Sequence, residues 1–166
     1  MIPRLALVAV LALVLAVVAP AAAAPPNPGV LVPGKSLGGL RLGATGAQVE
    51  AAWGRAYGRC TNCRHTTWYF NFFAFQPRGA GIEFRGGRAV ALYTIHQPLG
   101  WSTPSGLSLG EPVSRVRALY PRLSRHVCDG YDALILRRED TVSSFYVLDE
   151  RLWGFGLSRR GLPICR

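Results

Sequence analysis

Several stretches of this chain combine residue types and spacings that can do chemistry. Gly29-Val30-Leu31-Val32-Pro33-Gly34-Lys35-Ser36 fits the phosphate-loop pattern letter for letter. That chemistry needs a strand before the loop and a helix beginning at the lysine, so that backbone amides converge on phosphate oxygens. Here a proline-rich run precedes it and Ser36-Leu37-Gly38-Gly39 follows, which does not start a helix, so nucleotide binding is not expected. Gly106-Leu107-Ser108-Leu109-Gly110 fits the nucleophile elbow of serine hydrolases. The elbow requires a sizeable parallel sheet and a later acid and histidine, and only His126 follows Ser108. Cys60-Thr61-Asn62-Cys63 has the spacing of a redox pair. Reactivity in such pairs comes from a helix N-terminus that stabilises the thiolate, whereas here Thr66-Thr67-Trp68-Tyr69 begins a strand, so a structural turn disulfide is expected. Covalent haem attachment needs histidine directly after the second cysteine, and His65 stands one residue too far on. His65, His96 and His126 have no carboxylate at helical or strand spacing, and Asp129 and Asp132 read as loop-formers. No cofactor, no metal site and no catalytic group are expected.

The elements that would position such residues begin with an N-terminal leader. Arg4 supplies a positive start, Leu5 to Val18 an unbroken apolar run, and Ala19-Pro20-Ala21-Ala22-Ala23-Ala24 a breaker and small residues. This is the order of a secretory signal peptide over residues 1–23, cleaved after Ala23, because Pro25 disfavours a scissile bond at Ala24. An uncleaved anchor is the competing reading, since Leu5 to Ala24 approaches the ~20 residues a span requires. With cleavage no membrane span remains, and the protein is secreted or extracytoplasmic, with a bacterial-type cell envelope as one setting. Residues 24–36, with Pro25-Pro26-Asn27-Pro28-Gly29, read as a flexible, Pro/Gly-rich N-terminus.

The chain carries 19 Lys and Arg against 9 Asp and Glu, a net charge of +10, and Lys35 is its only lysine. That is either an anion-seeking surface or the mark of an Arg-rich codon usage, and an exported protein makes nucleic acid a poor candidate partner. The four cysteines, in an oxidising compartment, read as two disulfides with three connectivities open. The preferred pairing is Cys60–Cys63 and Cys128–Cys165, the second closing a long loop worth on the order of 3–4 kcal/mol.

Beyond the leader the chain repeats itself. Gly39-Leu40-Arg41-Leu42-Gly43 matches Gly106-Leu107-Ser108-Leu109-Gly110, and Val49, Ala52 and Trp53 fall on Val116, Leu119 and Tyr120. Thr45 with Gln48 forms a capping box, and Gly54 a helix stop. Pro112 suits a first helical position and Pro121 ends the second helix. Strand-like segments follow each helix: Trp68 to Phe75, Gly81 to Phe84 and Ala89 to Ile95, then Ala133 to Arg137, Ser143 to Leu148 and Leu152 to Leu157. Gly86-Gly87 and Asp149-Glu150 are the hairpin turns. The expected fold is α+β, with two tandem repeats over 37–98 and 99–166, each a short helix followed by an antiparallel β-meander. Trp53 and Tyr120 are expected to be equivalent core residues.

On those residues (Gly39, Leu40, Leu42, Gly43, Thr45, Val49, Trp53, Gly54 and their second-unit partners) the chain resembles the β-lactamase-inhibitory proteins and the small SmpA/OmlA lipoproteins of outer-membrane assembly. The resemblance implies a tandem helix-plus-meander fold and, from the inhibitors, a protein-binding role. The lipoprotein role does not carry over, because no lipid-attachment cysteine exists, and Cys63 stands only three residues past Cys60, unlike the inhibitors' cysteines.

The run Trp68-Tyr69-Phe70-Asn71-Phe72-Phe73-Ala74-Phe75 alternates Trp68, Phe70, Phe72 and Ala74 onto one sheet face and Tyr69, Asn71, Phe73 and Phe75 onto the other. One face must cover a helix; the second is too aromatic for a solvated sheet. With Arg64 and Arg78 at its rim it is the candidate binding surface, for an unknown partner protein. The reading is therefore an exported, non-enzymatic protein-interaction module, inhibitor-like in its mode. Its rivals are a small exported hydrolase using Ser108 or Asp129 and Asp132, and an envelope structural protein; packing of the two units over the aromatic face is the structural alternative.

Overall fold

The computed structural model describes residues 29–70, 79–95 and 100–166. The expected leader, residues 1–23, lies outside the described residues, and no helix among the described residues is long and apolar enough to cross a membrane. Within the stretch 24–36 expected to be flexible, the described residues instead enter a hairpin. Strand β1 (Leu31–Val32) pairs with β2 (Ser36–Leu37), and Leu31 and Leu37 are fully buried. Two apolar anchors on a tight turn dock this segment despite its prolines.

The rest of the chain forms helix α1 (Gly46–Trp53), strands β3 (Gly58–Cys60), β4 (Thr66–Phe70), β5 (Gly79–Arg85) and β6 (Arg88–Ile95), helix α2 (Val113–Leu119), and strands β7 (Ser124–Cys128), β8 (Tyr131–Arg137), β9 (Thr141–Leu148) and β10 (Arg151–Arg159). Strands β3 to β10 make one antiparallel sheet in the order β3-β4-β5-β6-β10-β9-β8-β7. The expected α+β fold of two helix-plus-meander units is thereby corrected. Among the described residues the protein is mostly β, with two helices of eight and seven residues against eight strands in a single sheet. The reason is physical: helices of about two turns have little stability alone, and two separate sheets would each expose a long edge. Pairing β6 with β10, in the register Tyr93↔Gly156 and Leu92↔Leu157, removes both edges at once.

One core lies under the helix-bearing face. Val49 and Trp53 of α1 and Val116 of α2 join Phe70, Leu92, Phe145 and Phe155 in the same apolar cluster. Trp53 is 1% exposed, donates its indole N–H to the Gly38 carbonyl at 2.8 Å, and meets Phe70 and Trp101 edge-on. Tyr120 is not its equivalent. It lies at the C-cap of α2, half-buried, with its ring 4.7 Å from Phe145 and its hydroxyl near that of Ser105. Helix α1 has both hydrogen bonds of the capping box between Thr45 and Gln48, whereas α2 starts at Pro112 with no side-chain cap.

Both hairpin turns adopt left-handed backbone at both central positions. Gly86 and Gly87 have φ of 55° and 70°, and Asp149 and Glu150 have 48° and 57°. That conformation matches the strand twist and is free for glycine, but strained for Glu150. Edge strands β3 and β7, short and polar, were not legible as strands in the sequence.

Candidate functional site

Across the second face of the sheet, register places Tyr69, Gly81, Tyr93 and Gly156 side by side on β4, β5, β6 and β10. The Tyr93 ring lies where a Cβ on Gly81 would sit, and the Tyr146 hydroxyl is 2.6 Å from the place of a Cβ on Gly156. The glycines thus let two phenols lie flat against the sheet. Residues 164–166 then cross this face. The Cys128–Cys165 disulfide ties them to the end of β7, and the Tyr146 hydroxyl donates to the Ile164 carbonyl at 3.0 Å. The Tyr131 hydroxyl donates to the Arg166 carbonyl and accepts from its N–H, at 2.8 and 2.6 Å. Tyr93 and Tyr146 end up buried, while Tyr69, Tyr131 and Trp153 remain half-buried around them. Burial pushes the Tyr146 phenol up to about 12 and raises Tyr93 further, since the phenolate would lose its water.

A polar chain is inserted beside these rings. Arg166 reaches Glu83 at 3.5 Å and lies over the Tyr93 ring, Glu83 stands 3.7 Å from His65 Nδ1, and Arg85 meets His65 Nε2 at 2.9 Å. Guanidinium can only donate, so Nε2 is the acceptor and the imidazole proton sits on Nδ1, towards Glu83. The nitrogen a general base would need is therefore occupied by Arg85. The acid, the histidine and the two arginines thus form one polar chain beside the rings, with the Nε2 lone pair engaged by Arg85.

Of the residues expected to form the binding surface, Tyr69 is half-buried on this face with its hydroxyl 3.9 Å from Cys63 Sγ, and Arg64 is exposed in the loop after β3. Asn71, Phe73, Phe75 and Arg78 lie outside the described residues. Trp68 and Phe70 point to the opposite face, where Trp68 stacks on Tyr57 at 4.1 Å and carries Arg59 over its ring. Sequence reasoning missed Tyr93, Tyr131, Tyr146 and Trp153. The available signal was the near-continuous apolar run Ala89-Val90-Ala91-Leu92-Tyr93 of β6 and Phe145-Tyr146-Val147-Leu148 of β9, which marks strands covered on both faces, as their burial bears out.

The other chemical motifs resolve into structure. The phosphate-loop look-alike is the β1–β2 hairpin, and Gly34 donates its N–H to the Ser143 hydroxyl at 2.8 Å. Ser108 forms a bridge with Ser102 and its amide donates to Glu111 at 2.6 Å; among the described residues no histidine bonds its hydroxyl. Cys60 and Cys63 are joined in a disulfide after β3. Asp129 sits in the β7–β8 turn, while Asp132 belongs to β8 and pairs with Arg125 at 2.7 Å. His126, Cys128 and Cys165 come together, but both cysteines are committed to their disulfide.

No protein-family model and no curated protein matches the chain. Among solved structures, an extracellular protein containing a SCP domain from Bacillus anthracis aligns with a TM-score of 0.48 and 13% identity, over 72% of this chain and 44% of that one. The alignment thus spans less than half of that protein's length, and the likeness carries no conclusion about this chain. The two disulfides are consistent with an oxidising, extracytoplasmic setting.

Proposed function

We propose that this protein is an exported, non-enzymatic interaction module that holds a partner protein against the second face of its sheet, in an inhibitor-like manner. The observation that supports the reading is the trio Tyr69, Tyr131 and Trp153, left half-buried on a face whose centre is sealed by residues 164–166. Half-buried aromatics on a braced, disulfide-tied surface supply contact area at little entropic cost, the usual anchor of a protein interface. Arg64, exposed close in sequence to Tyr69, adds the guanidinium that such interfaces favour. The leader over residues 1–23 and the paired cysteines support export.

The test uses immobilised protein challenged with secreted and envelope proteins of the native host. Wild type is compared with Tyr69→Ala and Arg64→Ala, all three first checked for equal thermal melts. One protein retained by wild type and lost with both variants supports the reading. Identical retention by all three, or by none, refutes it.

A further inference from the structure

Three separate parts of the chain bring arginines to one end of the sheet. The β5–β6 hairpin contributes Arg85 and Arg88, the end of β10 contributes Arg159 and Arg160, and the loop before α1 contributes Arg41. Arg85, Arg88, Arg159 and Arg160 line a hollow of about 350 Å3 with Val90, Gly161 and Leu162. Two adjoining hollows share its walls: one holds Arg41 with Arg159, the other Arg41 with Arg88. Among the described residues that line the three hollows only Asp140 is acidic, and no carboxylate lies within ion-pair distance of any of these five arginines.

Two features make this more than an Arg-rich surface. Arg85 and Arg88 are direct cross-strand partners, an arrangement of like charges that destabilises a hairpin unless an anion sits between them. Two of the guanidiniums are also held in place. Arg88 donates to the Gly43 carbonyl at 3.3 Å, and Arg85 is bound by His65. The five arginines are exposed, two of them are tethered, and together they present a concentrated positive potential to an anion.

We propose that this hollow is a binding site for a phosphate-bearing ligand carrying two or more negative charges. A single carboxylate offers one charge to four guanidiniums; a phosphate group offers up to two charges and three acceptor oxygens, suited to bidentate Arg contacts. The volume lies at the small end of ligand pockets, enough for a di- or triphosphate-sized group. The ligand's phosphate comes either from a lipid headgroup or from a soluble or polymer-borne chain. The site shares Arg85 with the polar chain beside the aromatic face, but it uses neither Tyr69 nor Arg64, and it stands if that face binds nothing.

The experiment is calorimetric titration of the intact protein with sodium tripolyphosphate at low and physiological salt. The double variant Arg88→Ser/Arg159→Ser is compared with Arg115→Ser/Arg117→Ser, which removes the same charge from the exposed side of α2. We expect saturable binding, weakened at least about ten-fold for each pocket arginine removed and little changed in the α2 variant. Thermal melts of all forms without ligand guard against unfolding. Arg85→Ser, which removes a third guanidinium from the hollow, should also weaken tripolyphosphate binding at least about ten-fold. Vesicles of phosphatidic acid, with phosphatidylcholine as blank, assign the source: binding competed by tripolyphosphate supports a headgroup, and tripolyphosphate binding without vesicle binding supports a soluble or polymer-borne phosphate. Absence of tripolyphosphate binding, or equal loss in both double variants, overturns the proposal.

Discussion

Replacing Trp53 by alanine would remove one of the two fully buried tryptophans of the described core. An indole of this kind buries roughly 200 Å2, which at about 25 cal/mol per Å2 corresponds to ~5 kcal/mol. Core truncations of Trp cost about 3–5 kcal/mol by direct measurement elsewhere, so the two routes agree. The substitution also orphans the Gly38 carbonyl, which now accepts the indole N–H, and strips Phe70 and Trp101 of their edge-on partner. Tyr120→Ala should cost only about 1–2 kcal/mol, because its ring is half-buried and rests chiefly on Phe145. Trp53→Phe should fall between, since it keeps much of the apolar area and loses the hydrogen bond. Urea melts followed by far-ultraviolet circular dichroism, with disulfides intact, measure all three. A domain of this size has on the order of 5–15 kcal/mol in total, so Trp53→Ala should be near the limit of folding. A loss below about 1.5 kcal/mol for Trp53→Ala, or equal losses for Trp53→Ala and Tyr120→Ala, would refute the description of one shared core with α1 as its main plug.

Cys128→Ser with Cys165→Ser should cost about 4 kcal/mol by loop-closure entropy for its sequence separation of 37, against about 2 kcal/mol for the Cys60–Cys63 pair with separation 3; denaturant melts of the two double variants rank them. Tyr146 is raised to about 12 by burial, so the folded form holds its proton longer than the unfolded chain, and stability should be complete below pH 10 and fall as pH climbs through 12. Freeing residues 164–166 by the Cys128/Cys165 substitutions should move that phenol back towards 10, read by ultraviolet titration of tyrosinate. Glu50 is held below its ordinary range chiefly by the Tyr57 hydroxyl, with Arg55 and Arg59 adding to it, so its contribution is present above pH 4.5 and lost as pH falls through the lowered value. Tyr57→Phe should therefore raise the Glu50 titration midpoint, followed by carbon-detected nuclear magnetic resonance of the carboxyl. Glu150→Gly should raise stability by about 0.5–1 kcal/mol, as it relieves a left-handed residue in the β9–β10 turn at some cost in chain entropy, and a higher melting temperature would show it.

Local chemistry was legible wherever a residue's own type dictates backbone behaviour. Thr45 and Gln48 announce a capped helix start because a short hydroxyl and a longer amide satisfy each other's backbone donors at that spacing, and both bonds form. Gly86-Gly87 announces a hairpin because glycine takes left-handed backbone freely; Asp149-Glu150 is the less favourable turn, and it adopts the same backbone with strain at Glu150. The alternation of Trp68 and Phe70 against Tyr69 separates two faces because a strand has period two, and the faces are those observed. Strands β3 and β7 escaped because an edge strand of Gly58–Cys60 or Ser124–Cys128 faces water and has no apolar pattern to display.

What the sequence determines by itself is thus short-range: caps, turns, strand periodicity and the stock of aromatics and arginines. What only the tertiary structure decides is which of these meet. The pairing of β6 with β10 turns an expected pair of units into one sheet with a buried cluster on each face, because backbone hydrogen bonding rewards closing an exposed edge whatever the side chains are. The same pairing sets Tyr93 beside Gly156, leaves residues 164–166 to cover the face, and brings Arg159 near Arg88, while the bonds of Gly43 and Ala44 to Ala89 add Arg41 at that end of the sheet. Charge convergence of that kind has no signature along the chain, since residues far apart in sequence are brought together only by strand register.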